Sequence, residues 1–409
     1  MEKILKPEPE KEYPENSEVH NFSDSRVVMH IDLDTFFVSV ERLRNSRWID
    51  KPLIVGSLSD RGVVSACSYE TRRFGVYSGM PMKMAKILCP EAIVIQGDFD
   101  TYAKYSRMVT DVIAEKAPVF EKVSIDEHYL DLTGMDRFFG VSRWAAELKQ
   151  SITRETGLPV SYGISLNKTV SKIATGEAKP NGALQIPKQQ IIPFLDPLSI
   201  RKIPGIGLKN FQFLRTMGVE SIKTLRAIPL PMLVSVLGNN GVDIWKKANG
   251  IDSSPVKPYE ERQSISTEHT FSHDTTNIAK MIDYLIIMTE NVAYELRRQQ
   301  KVASCVTVKI RYANFDTHTK QATIEYTSFD HYFIDIVKQL FLSLYNRRML
   351  VRLIGVKLSG LAYGFQQLSL FDPHPNMAKL YRNVDMLKSR YGETVIQRAS
   401  GIKPRNMFD

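Results

Sequence analysis

The stretch SIDEHYLD, residues 124–131, sets two carboxylates side by side in a segment whose other residues read as strand. Successive side chains of a strand point to opposite faces, so in an unbroken strand Asp126 and Glu127 could not share a task. The apolar alternation slips at this point. Val123 and Ile125 hold the odd positions before the pair, and Leu130 and Leu132 hold the even positions after it. A turn or bulge at Asp126-Glu127 produces that slip and aims both carboxylates at one place. A second acidic pair, Asp32 and Asp34 in HIDLDTFF, is spaced by two and projects from one face of a strand. Taken alone, either pair reads as a solvated strand end. A sheet bringing Asp32 beside Asp126 and Glu127 would concentrate negative charge, and Mg²⁺ held by carboxylates and substrate phosphates answers that charge. Two such ions about 4 Å apart clamp an in-line attack on phosphorus.

The chain of 409 residues is long enough for two to four domains, each with its own core. No run of about 18 apolar residues is present to span a membrane, and the acidic start lacks the apolar core of a signal peptide, so a cytoplasmic location is expected. Cys67, Cys89 and Cys305 lie far apart without CxxC or Cys/His spacing, which argues against a disulfide framework or a zinc site. The net charge of +9 points to a polyanionic partner. Residues 1–25 carry seven acids against three lysines, so the basic excess lies in the body of the chain. It is dense between Lys188 and Ile251, a candidate phosphate-binding surface.

Residues 1–25 are polar and without periodicity and read as a disordered leader. From Arg26 a buried strand leads through helices expected at 101–116 and 143–154 and a further strand, PVSYGISL, the pattern of an α+β or α/β domain. Pro187 and Pro193 open a mainly helical stretch that ends in the proline-bearing linker IDSSPVKPYEERQS. Beyond it the expected order is strand, helix (277–299), strand, strand, helix (335–345), strand, a ferredoxin-like β-α-β-β-α-β arrangement. A polar tail follows from Gly364.

Other motifs carry possible chemistry. GVVSACSYETRRFGVYSGMP combines small residues with Tyr69 and Arg72; the guanidinium is suited to grip a phosphate bidentately, although such a segment alone reads as a charged loop. GISLNKTVSKIATGEAKPNG follows a strand and leads into a lysine-bearing helix, and it is not a Walker A loop. IPGIG, with Gly205, Gly207 and nearby Lys209, resembles a helix-hairpin-helix turn whose backbone N–H groups hold DNA phosphates. QLSLF, residues 367–371, sets three apolar anchors and a glutamine in a polar tail, the form of a short docking peptide rather than a packed tail fragment.

Together these motifs, in this order, resemble the Y-family translesion DNA polymerases of the bacterial polymerase IV and UmuC-like branch. The resemblance runs from about Val27 to Phe371. It implies an α+β multidomain right hand: palm at 26–35 and 98–187, fingers at 36–97, a helical thumb with the helix-hairpin-helix at 188–254, a linker at 255–264 and a little finger at 265–364. The tail at 365–409 would carry the clamp peptide. It further implies that Asp32, Asp126 and Glu127, with the Leu33 carbonyl, hold two Mg²⁺ ions; Asp34 is assigned a structural role. Phe36, Phe37, Tyr69, Arg72 and Lys179 would meet the incoming dNTP, with Phe37 as the steric gate, because a 2′-hydroxyl would have to overlap its ring. Ser65 and Ala66 would cover the nascent base pair loosely and lower fidelity. Primer-template DNA would contact Gly205, Gly207 and Lys209, and Gln367, Leu368, Leu370 and Phe371 would engage the bacterial sliding clamp. A monomeric, template-directed, low-fidelity polymerase is the expected function. The alternatives are a catalytically impaired member that binds DNA and clamp as a regulator, and a helix-hairpin-helix glycosylase or nuclease. His128 departs from the small residue usual beside the acidic pair and is expected to crowd the metal site or touch DNA. The stretch YRNVDMLKSRYGETVIQRAS is similar to the end of UmuC-like proteins and carries no assigned role.

Overall fold

A computed structural model describes residues 26–59, 61–135, 140–258, 261–345, 349–364, 377–393 and 395–399. The acidic leader and the clamp peptide with Gln367, Leu368, Leu370 and Phe371 lie outside the described residues. The chain divides into two units, Met1–Tyr259 and Glu260–Asp409, with the division inside the expected linker.

In the first unit the elements run β1 (Val28–Leu33), α1 (Phe36–Arg44), β2 (Leu53–Gly56), β3 (Val64–Cys67), α2 (Tyr69–Arg72), α3 (Met82–Leu88), β4 (Ile93–Ile95), α4 (Phe99–Lys116), β5 (Phe120–Lys122), β6 (Glu127–Asp131), α5 (Val141–Thr156), β7 (Val160–Ser165), α6 (Lys168–Ala178) and β8 (Ala183–Gln185). The main sheet has the order β5-β6-β1-β7-β8. β1 is central and antiparallel to both neighbours. Its odd residues Met29, Ile31 and Leu33 enter one apolar core with Val109 and Ile113 of α4 and Leu148 and Ile152 of α5. Its even residues His30 and Asp32 face α6, so the alternation of β1 sorts core from chemistry.

Gly163 sets how closely α6 lies on the sheet. A Cβ at this position would stand 2.3 Å from the Ser171 carbonyl oxygen and 2.5 Å from the Thr175 nitrogen, so only glycine admits the helix at this distance. A smaller sheet, β3-β2-β4, is formed within residues 53–95, with β2 and β4 parallel. Short helices follow: α7 (Ile191–Leu195), α8 (Leu208–Thr216), α9 (Ile222–Ala227), α10 (Leu230–Leu237) and α11 (Asn239–Ala248). Their apolar residues, including Leu195, Leu214, Ile222 and Ile244, share a core with Val170 and Ile173 of α6.

The second unit runs β9 (Ser264–Thr275), α12 (Ile278–Arg298), β10 (Lys301–Tyr312), β11 (Thr317–Thr327), α13 (Asp330–Leu344) and β12 (Val351–Tyr363), the expected β-α-β-β-α-β order. Its antiparallel sheet reads β11-β10-β12-β9, so β12 lies between β9 and β10. The stretch without an assigned role forms α14 (Met377–Tyr391) and packs on this unit. Buried Tyr381 stacks on Phe329, and Arg297 donates to Asp385 at 2.7 Å and to Asp330 at 2.5 Å. Among the described residues no helix is long and apolar enough to cross a membrane.

Candidate active site

The break in alternation at SIDEHYLD is a hairpin turn. β5 ends at Lys122, β6 starts at Glu127, and the Val123 and Ser124 amides both donate to the Glu127 carbonyl oxygen. Ser124 fastens the turn, its hydroxyl oxygen accepting from the Glu127 amide at 3.0 Å and its hydroxyl donating to the Asp126 carboxylate at 2.5 Å. The Leu33 amide donates to the Asp126 carbonyl oxygen, which locks the turn to the end of β1. Asp32 and Glu127 are direct cross-strand partners. Residues 32, 126 and 127, remote in sequence, therefore meet at one end of the β1–β6 strand pair.

Partners for Asp32 and Glu127 come from α6 and the residue just past its end. Lys168, Lys172 and Thr175 lie in a stripe on one helix face at spacings of four and three, and Lys179 follows four residues on in extended backbone, as the C-cap. These residues read across the strands beneath them: Lys168 pairs with Glu121 at 2.5 Å, Lys172 with Glu127 at 2.6 Å, Thr175 with the His30 ring at 2.9 Å, and Lys179 with Asp32 at 2.5 Å. Lys179 also stands 3.7 Å from Asp34. Burial outweighs Lys179 and lifts the Asp32 carboxyl to about 6, with Glu127 and Asp126 adding to the rise. Burial also acts on Glu127, but hydrogen bonds and charge from His30 and Lys172 overcome it and hold that carboxyl at about 2.

Asp34 is buried and accepts from the Ser161 hydroxyl at 2.9 and 3.0 Å and from the Asn181 amide at 2.6 Å. It ties β1 to β7 and to the loop that carries Lys179. Phe36 is buried, whereas half-buried Phe37 lies flat on Tyr102 with centroids 4.2 Å apart and planes 13° apart. Tyr102 is fixed from behind by donating to Glu41 at 2.6 Å. Tyr69 and Arg72 sit on α2, whose first turn is capped by Ser68, and the Arg72 guanidinium lies 5.1 Å from the Tyr69 ring centre. Burial, then the Asp34 charge, raises the Tyr69 phenol well above its usual range. Gly205 and Gly207 are exposed on the turn that leads into α8, and exposed Lys209 lies in the first turn of that helix; Gly205 has φ of 104° and Lys247 donates to the Pro204 carbonyl oxygen.

His128 does not stand where it was expected. It is fully buried on the face opposite Glu127, beside Thr110 of α4 at 3.1 Å, because the turn restores strict alternation after Glu127. Burial, then the Lys122 charge, lowers its pKa to about 3 and keeps the ring neutral. Lys172 and His30 were missed. The heptad-like stripe on α6 is the signal that marks Lys172.

Hard carboxylate oxygens on adjoining backbone positions suit Mg²⁺. Yet among the described residues no three carboxylate, imidazole or thiol side chains gather closely enough to hold a metal. Each ligand candidate is already engaged: Asp32 by Lys179, Asp126 by Ser124, Glu127 by Lys172. The donor chemistry suits the ions; the side chains themselves are turned to other partners.

The sequence matches the impB/mucB/samB family over residues 31–176 and the C-terminal domain of that family over residues 262–370. DNA polymerase IV of Dehalococcoides mccartyi is 38% identical over 390 residues, covering 94% of this chain and 99% of that protein. DNA polymerase IV of Treponema denticola is 33% identical, covering 92% and 97%. Among solved structures, a Y-family DNA polymerase chimera of Dbh and Dpo4 superposes with a TM-score of 0.75 at 27% identity, covering 83% of this chain and 100% of the chimera. An insertion ternary complex of Dbh DNA polymerase gives 0.60 at 26% identity, with coverage of 83% and 100%. The class defined by this fold and site is the DNA-directed DNA polymerases of the Y family. The chain belongs to the impB/mucB/samB family within it.

Proposed function

We propose that the chain carries out template-directed, low-fidelity translesion synthesis by two-metal-ion phosphoryl transfer, adding dNTPs to a primer 3′-hydroxyl on primer-template DNA. The observation that carries this reading is the convergence of Asp32, Asp126 and Glu127 at one end of the β1–β6 strand pair from distant parts of the sequence. These three carboxylates and the Leu33 carbonyl are the groups to hold the Mg²⁺ ions, which when bound supply Lewis-acid activation of the primer hydroxyl and stabilise the pyrophosphate leaving group. Tyr69, Arg72 and Lys179 present a phenol, a guanidinium and an ammonium to the triphosphate. Phe37, backed by Tyr102, blocks a ribose 2′-hydroxyl. Gly205, Gly207 and Lys209 hold template-primer phosphates. The peptide 367–371 recruits the protein, as a monomer, to the bacterial sliding clamp.

Primer extension with Mg²⁺ tests the reading. Asp126→Ala or Glu127→Ala should reduce extension by at least a hundredfold, on the scale of lost transition-state charge stabilisation. Extension equal to that of the parent would remove these residues from the metal site.

A further inference from the structure

We propose that Lys172 is a built-in cation that keeps Glu127 of the free enzyme neutralised, and that it yields Glu127 to a divalent ion. The inference rests on the metal-dependent reading above. Its starting point is a mismatch: three carboxylates share one end of the β1–β6 strand pair, yet no three metal-ligating side chains gather there among the described residues. Two of the three are held by ammonium groups, Glu127 by Lys172 at 2.6 Å and Asp32 by Lys179 at 2.5 Å. An ammonium and a divalent cation in contact with the same carboxylate repel each other strongly, because like charges at that separation in a partly buried site are poorly screened. Metal entry at Glu127 therefore requires Lys172 to leave.

The fold permits that exchange. The base of Lys172 is fixed because α6 is seated on β7 at the distance set by Gly163. Its side chain is a flexible four-carbon arm with 34% of its surface exposed, so it has a solvent side to withdraw into. Lys179 undergoes the same exchange with a second outcome. Once a cation takes Asp32, its ammonium is released next to Asp34 and the fingers, where it is available to a triphosphate. Metal entry and nucleotide binding are thereby coupled through α6 and the residue just past its end.

The test is a Mn²⁺ titration of the full chain, without DNA or nucleotide, read by the electron paramagnetic resonance signal of free Mn²⁺ at pH 8. Lys172→Met keeps the stem and removes the charge, and it should bind Mn²⁺ roughly tenfold more tightly than the parent. Lys172→Arg keeps the charge and should bind as the parent does, which separates competition from damage to the fold. Unchanged or weaker binding by Lys172→Met, with the parent still binding, would overturn this inference and leave the metal reading standing. No Mn²⁺ binding by Lys172→Met would overturn this inference, and no binding by the parent even with primer-template DNA and dNTP added would overturn the metal reading as well.

Discussion

Asp32 bears the cost of assembling this site. Its carboxyl is 17% exposed, and burial raises its pKa from 3.8 to about 6 in spite of the Lys179 ammonium. A group whose pKa is higher folded than unfolded favours the folded state fully below the unfolded value, and that contribution is lost as pH rises through the folded value. For Asp32 the window runs from about 4 to about 6, so at pH 8 the ionised side chain is a liability to the metal-free protein. Asp32→Asn should stabilise the metal-free protein at pH 8 by on the order of 1–3 kcal/mol, and the advantage should vanish by pH 4. Paired denaturation curves at the two pH values measure it; an equal difference at both would show that burial is not the cause. Phe37 makes a second prediction at this scale. Its ring is held flat on Tyr102, which Glu41 fixes in turn, so the ring cannot swing aside cheaply. Phe37→Ala should raise ribonucleotide incorporation at least tenfold relative to the matching dNTP, read by single-nucleotide extension. Unchanged discrimination would take the gate away from Phe37.

At the scale of elements, α6 decides the site. It brings Lys172 over β6, and the loop leaving it brings Lys179 over β1, only because β7 offers Gly163 beneath the helix, where an added Cβ would overlap Ser171 and Thr175. Gly163→Ala should destabilise the first unit by roughly 2–4 kcal/mol through overpacking and lower extension at permissive temperature, since α6 must lift off the sheet. A thermal midpoint equal to that of the parent would show that the helix seat has slack. Much of this scale was legible in the sequence. The slip of parity around Asp126 foretold a turn, and apolar spacing located α4, α5 and α12 to within a few residues. The side on which His128 lies was not legible, since it depends on where the turn ends. Nor was α14: its surface is mainly polar, and what holds it is the Arg297–Asp385 pair and the stacking of Tyr381, contacts made across the fold.

For the whole molecule, motifs spread over most of the chain carried the family resemblance, and the fold assembles three of them, HIDLDTFF, SIDEHYLD and the α6 segment, around one end of the β1–β6 strand pair. Chain order alone does not show that α6 lies across β1 and β6; the contacts of Thr175 with His30 and of Lys172 with Glu127 do. The central claim is that the three acids at that end are the metal site. Anomalous diffraction from a crystal of the protein with primer-template DNA, dNTP and Mn²⁺ tests it most directly. Manganese peaks should lie among Asp32, Asp126 and Glu127, with Lys179 moved from Asp32 to the triphosphate. Manganese elsewhere, with the Lys179–Asp32 pair intact, would contradict the account.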